Sequence, residues 1–336
     1  MEMTRRERIK AALKGEKVDR IPVAFWRHWP IDDQGAESLA RCALDFYYRF
    51  DFDFIKIPPS YTYITEDYGT KHEYRAGQIS GLSFGERDFT ERVVKKPEDW
   101  ERIEPLNVNK GAYGRQLQCL RIVLGKRKPD TPVIHTMFNP LALAQQLAGE
   151  EMLLVHLRRY PQKVERALTA LTETCAIFAA AVIKEGADGI FMSTNTASFE
   201  LMSAEEYQHF GRPGDLKVLA AAKGGWFNAL HLHGKHPMFS LLADYPVQAM
   251  NWHDRTAEPS LAEASKLFKG ALMAGVDQNG TLHLGTPADV EAQVHDAIRQ
   301  MNGRRLIVAG GCTYPLTVPE GNLIAARKAV ETFTRK

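Results

Sequence analysis

Five of the eleven histidines in this 336-residue chain lie where short apolar segments end. They are His28, His135, His231, His233 and His253. Short apolar segments that alternate with helical patterns are typical of parallel strands, and the carboxyl ends of parallel barrel strands carry catalytic groups. Imidazole binds metals and exchanges protons near neutral pH. The pattern therefore predicts a histidine-rich site at one end of a sheet.

The triplet His231-Leu232-His233 is the most informative part of this pattern. Residues i and i+2 of a strand point to the same face, so both imidazoles can reach one ion. Cys312 follows the last apolar segment in AGGCTYP, at the same end of the sheet. Two imidazoles and one thiolate predict a three-ligand site for zinc or another divalent transition metal. The fourth position stays open, as in catalytic zinc sites.

A second unusual segment is Trp26-Arg27-His28-Trp29, at the end of the first predicted strand. Arg27 is a candidate to orient an anionic end of the substrate, and Trp26 and Trp29 are candidate binding faces. The alternative is that the tryptophans pack under a loop and Arg27 pairs with a carboxylate. His28 is a candidate catalytic group, and His135 or His253 could move a proton.

Alternating strands and helices must position these residues. Strands are predicted at 21–28, 53–58, 132–137, 188–193, 227–233, 247–253, 271–276 and 305–310. Helices are predicted at 34–49, 141–148, 161–184, 204–222, 237–243, 260–268, 287–301 and 319–334. Eight such units indicate a (β/α)8 TIM barrel. We expect one domain over residues 1–336, with an N-terminal helix at 1–18 and an insertion around 61–128.

Composition narrows the range of partners. Lys and Arg number 43 against 41 Asp and Glu, a net charge of +2, and no long basic run occurs. These numbers argue against nucleic acid and anionic membranes as partners, and no apolar run reaches the roughly 20 residues that span a bilayer. Four separated cysteines without a CxxC pair suit a reducing compartment. We expect a cytoplasmic protein that acts on a small molecule.

Several segments together resemble the uroporphyrinogen decarboxylase superfamily, which includes zinc-dependent corrinoid methyltransferases. They are TRRERIKAALKGEKVDRIPV, EGADGIFMS, LMSAEEYQHFGRPGDLKVL, LHLHGKHPM, GVDQNGTLHLGTPADVEAQVHDAI and GGCTYPLTVPEGNLIAARKAVE. Their order and spacing cover nearly the whole chain. The resemblance implies a distorted barrel of the uroporphyrinogen decarboxylase type.

The two branches of that superfamily differ in their site residues. Arg27 matches an arginine of the decarboxylase, but Ser60 stands where the resemblance places its aspartate and Gly311 where it places its histidine. Ser60 is therefore a candidate substrate contact only. The methyltransferase branch holds zinc with a His-x-Cys pair and a distal cysteine. His231 and Cys312 match that set, whereas His233 replaces the middle cysteine.

Three functions are compatible with these residues. The first is metal-dependent transfer of a methyl group between a methylated small molecule, or a methyl-corrinoid protein, and an acceptor. The second is metal-independent decarboxylation or lyase chemistry on a small acid, with Arg27 as the carboxylate clamp. The third is non-catalytic binding of a corrinoid or other tetrapyrrole, with Trp26 and Trp29 as stacking surfaces. A corrinoid protein and a second copy of the chain, the latter through Phe46-Tyr47-Tyr48, are candidate partners.

Overall fold

A curled parallel sheet is the centre of the fold in a computed structural model that describes residues 2–74 and 87–333. The strands are β1 (Ile55–Ile57), β2 (Lys71–Glu73), β3 (Asp88–Glu91), β4 (Val133–Phe138), β5 (Gly189–Thr194), β6 (Ala229–Leu232), β7 (Ala249–Asn251), β8 (Ala271–Val276) and β9 (Leu306–Gly310). The sheet order is β1-β4-β5-β6-β7-β8-β9, and β2 and β3 form a separate antiparallel pair. Every residue of the seven sheet strands is buried, as expected for parallel strands covered on both faces.

An extended segment at 21–25 closes the barrel between β9 and β1. Val23 forms a parallel bridge with Val308. The Val308 N–H donates to Pro22 O at 2.8 Å, and the Asp53 N–H donates to Val23 O at 3.0 Å. The predicted first strand at 21–28 is therefore wrong as a regular strand, in part because Pro22 has no N–H to donate to a ladder. The predicted barrel is confirmed in its distorted form.

Helices surround this sheet. They are α1 (Arg5–Lys14), α2 (Ala36–Phe50), α3 (Tyr63–Glu66), α4 (Gly111–Lys126), α5 (Pro140–Ala148), α6 (Glu150–Arg159), α7 (Pro161–Lys184), α8 (Ala204–Phe210), α9 (Arg212–Ala221), α10 (Phe239–Leu242), α11 (Leu261–Leu267), α12 (Thr281–Leu284), α13 (Pro287–Gln300) and α14 (Glu320–Thr332). The predicted helix at 204–222 is two helices that meet at Gly211, next to Pro213 in the first turn of α9. The last predicted position, Thr334, lies outside the described residues.

The N-terminal helix is shorter than the predicted 1–18 because both of its ends are capped. Thr4 and Glu7 form a capping box before α1, and Gly15 ends the helix at a φ of 74°. The predicted insertion at 61–128 contains α3, β2, β3 and α4, and its residues 75–86 lie outside the described residues. Trp100 in this region is fully buried and donates to His156 Nδ1 at 2.9 Å, which joins the insertion to α6.

Helix α7 has the length and apolar composition of a membrane span. Half of its apolar window is buried, and the helix packs against β4, β5 and several neighbouring helices. A core helix of a barrel meets the same criteria. Packing therefore accounts for its apolar residues.

A buried ion-pair network fixes the start of the chain to the barrel. The Asp53 side chain has no solvent exposure and accepts hydrogen bonds from Arg8 and Arg20, both at 2.7 Å, and from the Val23 N–H at 2.8 Å. The network joins α1, the closing segment at 21–25 and the residues before β1. One carboxylate thus ties together the three parts that complete the barrel.

Loss of that carboxylate should be costly, because it leaves two guanidinium groups without their buried partner. We expect Asp53→Ala to lower the free energy of unfolding by about 3–5 kcal/mol. The control is Glu320→Ala, which removes the exposed ion pair with Arg49 and should cost about 1 kcal/mol or less. Urea denaturation followed by circular dichroism measures both changes. Equal effects of the two variants would contradict a structural role for the network.

Candidate metal centre and cavity

Four side chains converge at the carboxyl ends of β6 and β7 and after β9. They are His231, His233, His253 and Cys312, and their candidate ligand atoms all lie within 4.8 Å of one another. Cys312 Sγ is 3.6 Å from His231 Nε2 and 3.8 Å from His233 Nδ1. The structure therefore brings together the three residues that the sequence suggests as ligands, and it adds His253. Imidazole and thiolate are the donor types that suit zinc and related divalent ions.

The hydrogen bonds of Asn251 define the tautomer of His231. Asn251 Nδ2 donates to two backbone carbonyls, Met273 O at 2.5 Å and Gly310 O at 3.0 Å. Its Oδ1 is therefore the atom that lies 2.6 Å from His231 Nδ1, and an oxygen there can only accept. His231 Nδ1 carries the proton. The Nε2 lone pair consequently points towards Cys312, as in metal-binding histidines held by a second hydrogen bond.

A second chain of hydrogen bonds defines His253 and His233. The Gly311 N–H donates to Gln278 Oε1 at 3.1 Å, so Gln278 Nε2, at 2.9 Å, donates to His253 Nδ1. Neutral His253 then carries its proton on Nε2, which lies 3.4 Å from His233 Nδ1. His233 Nδ1 is the acceptor of that proton and has its lone pair in the cluster. The network therefore gives three lone-pair donors and one N–H donor.

The electrostatics favour the same arrangement. Burial lowers the pKa of His231 and so favours the neutral imidazole. Burial alone would raise the pKa of Cys312, but its close contacts with His231, His233 and His253 hold the pKa of this thiol well below its usual value. A thiolate and neutral imidazoles are the protonation states that bind metals. The donor set thus fits a divalent transition metal held by His231, His233 and Cys312.

The cluster lies between two connected spaces at the barrel mouth. The inner cavity has a volume of about 300 Å³ and is bounded by Trp26, Lys56 and Phe191 as well as by the cluster. The outer vestibule has a volume of about 720 Å³ and extends past His253. Both spaces are lined by His233 and Cys312, and also by Glu150, Asn195 and Thr313. An inner cavity of this size is at the small end of ligand sites and suits a compact molecule.

The two tryptophans predicted to bind substrate, Trp26 and Trp29, lie in different environments. Trp26 lines the inner cavity, although it is only 2% exposed and meets Phe191 edge to face. Trp29 packs against Phe46 beneath the barrel mouth and is not among the cavity residues. The two tryptophans therefore do not face each other as stacking surfaces for a tetrapyrrole. Packing also accounts for Phe46, which touches three more aromatic rings, those of Phe50, Phe52 and Tyr314.

Arg27 and Ser60 do not line the inner cavity. Arg27 Nε donates to the His28 carbonyl, and the Ser60 hydroxyl is buried and bonded to Thr62 Oγ1. His28 does line the cavity, and burial together with the charge of Lys56 lowers its pKa to about 4. A neutral imidazole at this position can accept or donate a hydrogen bond. It is uncharged at neutral pH.

The structure does not bring His135 into the site. Thr136 and Phe138 of β4 line the inner cavity, so His135 lies on the opposite face of the strand. Its ring is fully buried, 5.5 Å from the ring of Phe178 in α7. Burial lowers its pKa to about 4. The predicted proton transfer by His135 is therefore incompatible with its position.

Sequence reasoning missed Lys56, Asn251 and Gln278. Lys56 lies in the middle of β1, is 8% exposed and lines the inner cavity. Its signal was visible as one charged residue inside the apolar run FIKIPP. Asn251 and Gln278 have no comparable signal, because their importance depends on contacts with His231 and His253. The basic side chain that lines the inner cavity is thus Lys56, whereas the sequence suggested Arg27.

The backbone at Gly311 excludes the decarboxylase histidine that the resemblance places there. A Cβ at this position would lie 2.6 Å from His253 Cα and 2.9 Å from Trp252 O. No side chain fits without movement of the backbone around the cluster. The close packing of the backbone around the cluster therefore favours glycine at position 311.

The fold and the donor set together define a barrel enzyme, and the chain belongs to the uroporphyrinogen decarboxylase (URO-D) family, whose match covers residues 4–333. Among its curated relatives, the methylcobamide:CoM methyltransferase MtbA of Methanosarcina acetivorans is 25% identical over 346 residues, 96% of either chain. The protein of that name from Methanosarcina mazei is 27% identical over 342 residues, again with 96% of either chain covered.

Two solved structures share the fold. A methyltransferase from Methanosarcina mazei has a TM-score of 0.85 at 23% identity, covering 98% of this chain and 99% of that one. A B12-independent methionine synthase from Shewanella sp. W3-18-1 has a TM-score of 0.59 at 13% identity, covering 88% and 86%. At these identities the similarity shows a shared fold. It agrees with the curled parallel sheet described above.

Removal of the Asn251 side chain tests the orientation of His231. Asn251→Ala deletes the acceptor that holds the Nδ1 proton, and we expect the affinity for Zn²⁺ to fall by about 10- to 100-fold. Competition with a chelator of known affinity measures this loss. Asn195→Ala is the matched control, because Asn195 lines the cavity but bonds to Ser193 and not to a histidine. Unchanged affinity in Asn251→Ala would refute the proposed tautomer.

Proposed function

We propose that this protein is a metal-dependent methyltransferase that moves a methyl group between a methyl-corrinoid protein, or a methylated small molecule, and an acceptor in the inner cavity. The observation that carries the proposal is the convergence of three lone pairs, on His231, His233 and Cys312, beside the N–H of His253. Three protein donors leave an open coordination position, as in catalytic metal sites. The names of the curated relatives support methyl transfer as the reaction.

The residues of the chain have separate tasks in this proposal. A divalent metal bound by the three donors would supply Lewis acidity and lower the pKa of the acceptor group. His253 donates a hydrogen bond through its Nε2–H to the acceptor atom and so stabilises its deprotonated form, and Gln278 holds the ring in that orientation. Trp26 and Phe191 close the inner end of the cavity and exclude water.

The vestibule is the proposed approach for the methyl donor. It is the larger of the two spaces and reaches the same sulfur and imidazole atoms as the inner cavity. A donor on a protein can therefore meet the acceptor at the cluster without entering the inner cavity. We propose that the enzyme acts in the cytoplasm as one domain, with a corrinoid protein as its macromolecular partner.

Two substitutions separate metal binding from hydrogen-bond donation by His253. Cys312→Ser replaces a thiolate with a neutral hydroxyl, and we expect it to lower metal affinity by more than the about 10- to 100-fold that loss of a supporting hydrogen bond costs. His253→Leu removes the N–H donor and keeps the three ligands, so metal content should stay near that of the wild type. Its turnover should fall by about 10²- to 10³-fold, the usual cost of removing one such hydrogen-bond donor.

Elemental analysis gives the metal content, and the loss of methylcobalamin absorbance in the presence of a thiol acceptor gives the turnover. The double variant Cys312→Ser, His231→Ala serves as the metal-free control. Full metal occupancy in this double variant would mean that the metal is bound elsewhere. Unchanged turnover in His253→Leu would remove the proposed role of its proton.

The histidine at position 233 is itself open to a test. His233→Cys restores the ligand set of the methyltransferase branch, so the metal should remain bound. The additional negative charge lowers the Lewis acidity of the site, and we expect the native turnover to change while metal content does not. Parallel measurement of bound metal and turnover decides the point. Loss of the metal from this variant would argue against coordination by residue 233.

A further inference from the structure

The three most exposed large apolar residues in the part of the chain that the structure describes all lie on loops at the barrel mouth. They are Ile31, Phe199 and Leu284, which are 71%, 58% and 76% exposed. Ile31 follows the closing segment, Phe199 follows β5 and Leu284 follows β8. The other exposed apolar residues are 40–44% exposed and lie on or between the outer helices. Scattered residues of that kind are ordinary on a protein surface, whereas a group around one opening indicates an interaction site.

These three residues, the mouth ring, are spaced around the opening. Around the barrel the order is closing segment, β1, β4, β5, β6, β7, β8, β9, so the ring residues follow the first, fourth and seventh of eight positions. Neighbouring strands are about 4.8 Å apart, so loops three strands apart are separated by about 14 Å along the sheet. A compact molecule does not span all three loops. The ring therefore fits a protein that covers the mouth.

The backbone at Ile31 shows that local preference does not place isoleucine there. Its φ of 72° and ψ of −54° lie in a region that β-branched residues rarely adopt and that favours glycine. The side chain also gains little from burial within the chain, since the residue is 71% exposed. Residues that break local rules in this way are concentrated at functional sites.

Hydrogen bonds hold the other two ring residues on fixed backbone. The Phe199 N–H donates at 2.9 Å to a carbonyl of the loop after β6. Asn322 of α14 is 2% exposed and donates through Nδ2 to Leu282 O and to Gly285 O, each at 2.9 Å. These two carbonyls flank Leu284. Side chains on a preorganised backbone lose little conformational freedom when a partner covers them, which favours binding.

We infer that the mouth ring is the docking surface for the protein that carries the methyl-corrinoid, and that its three residues contact apolar side chains of that protein. The volumes at the mouth identify this occupant. The inner cavity of about 300 Å³ admits only a compact molecule, so a corrinoid must stay in or above the vestibule, with its carrier on the rim. The loop of Phe199 also lines the vestibule, through Ser198 and Glu200. The inference rests on the proposed function for the identity of the carrier.

Two methyl donors separate docking from chemistry. Free methylcobalamin reaches the cluster without the ring, whereas the methylated corrinoid protein purified from the same cells by its cobamide absorbance must dock. We expect Leu284→Lys to raise the KM for the protein donor by about 10- to 100-fold, the range for an interface anchor. The kcat with this donor, and both constants with methylcobalamin, should stay unchanged.

Leu267→Lys is the matched control for this variant. Leu267 is also an exposed leucine at the last position of a helix, α11, but that helix leads into β8 at the opposite end of the barrel. Its substitution should change the kinetics with neither donor.

Ile31→Gly separates docking from stability. Glycine adopts the backbone conformation of Ile31 without strain, so the unfolding temperature of this variant should equal or exceed that of the wild type. Its affinity for the corrinoid protein should nevertheless fall by about 10-fold or more. Isothermal calorimetry without a thiol acceptor measures this affinity in the absence of turnover.

An unchanged KM for the protein donor in Leu284→Lys would overturn the inference, as would unchanged affinity in Ile31→Gly. Sedimentation of the enzyme alone tests a second copy of the chain as the occupant, and a dimer that Leu284→Lys dissociates would also overturn it. The proposed function fails separately. Ring-dependent binding of the corrinoid protein without transfer from either donor keeps the docking surface and loses the methyltransferase. Transfer from both donors that no ring variant changes has the opposite meaning.

Discussion

The orientation of one buried amide controls the chemistry of the cluster. Asn251 is held by two backbone carbonyls of the barrel, so its oxygen must face His231, and the lone pair of that imidazole must point to Cys312. Those carbonyls belong to β8 and to the end of β9. Any change in the register of these strands would rotate the amide. The direction of a single hydrogen bond therefore couples the construction of the barrel to the availability of a metal ligand.

The sequence predicted the central elements because simple geometric rules govern them. A period of two along β6 puts residues 231 and 233 on one face, and parallel strands end at the same side of a sheet. Cys312 follows β9 at that side. The same rules predicted eight strands, of which seven occur as regular strands of the sheet, and the long helix α7. Metal binding by His231, His233 and Cys312 remains a prediction, whereas their proximity follows from the sequence pattern.

The features that the sequence did not predict depend on contacts between residues that are distant in the chain. Both faces of β4 are buried, so nothing in VIHTMF shows which face of the strand lines the cavity. Lys56 was visible as a charge in an apolar strand, but a sequence does not show whether a carboxylate lies opposite. The tautomer of His253 depends on its hydrogen bond with Gln278, which follows another strand. Pro22 prevented a regular first strand although hydrogen bonds on both sides keep the segment in the barrel.

The histidine at position 233 leaves the centre with a single sulfur. The other cysteines lie on helices, Cys42 on α2, Cys119 on α4 and Cys175 on α7, and all four are free. A centre with two thiols can store oxidative damage as an internal disulfide that reductants reopen. Here oxidation of Cys312 has no neighbouring thiol to trap the sulfenic acid, and the next steps are irreversible. Tolerance of oxygen therefore depends on thiols from the surrounding solution.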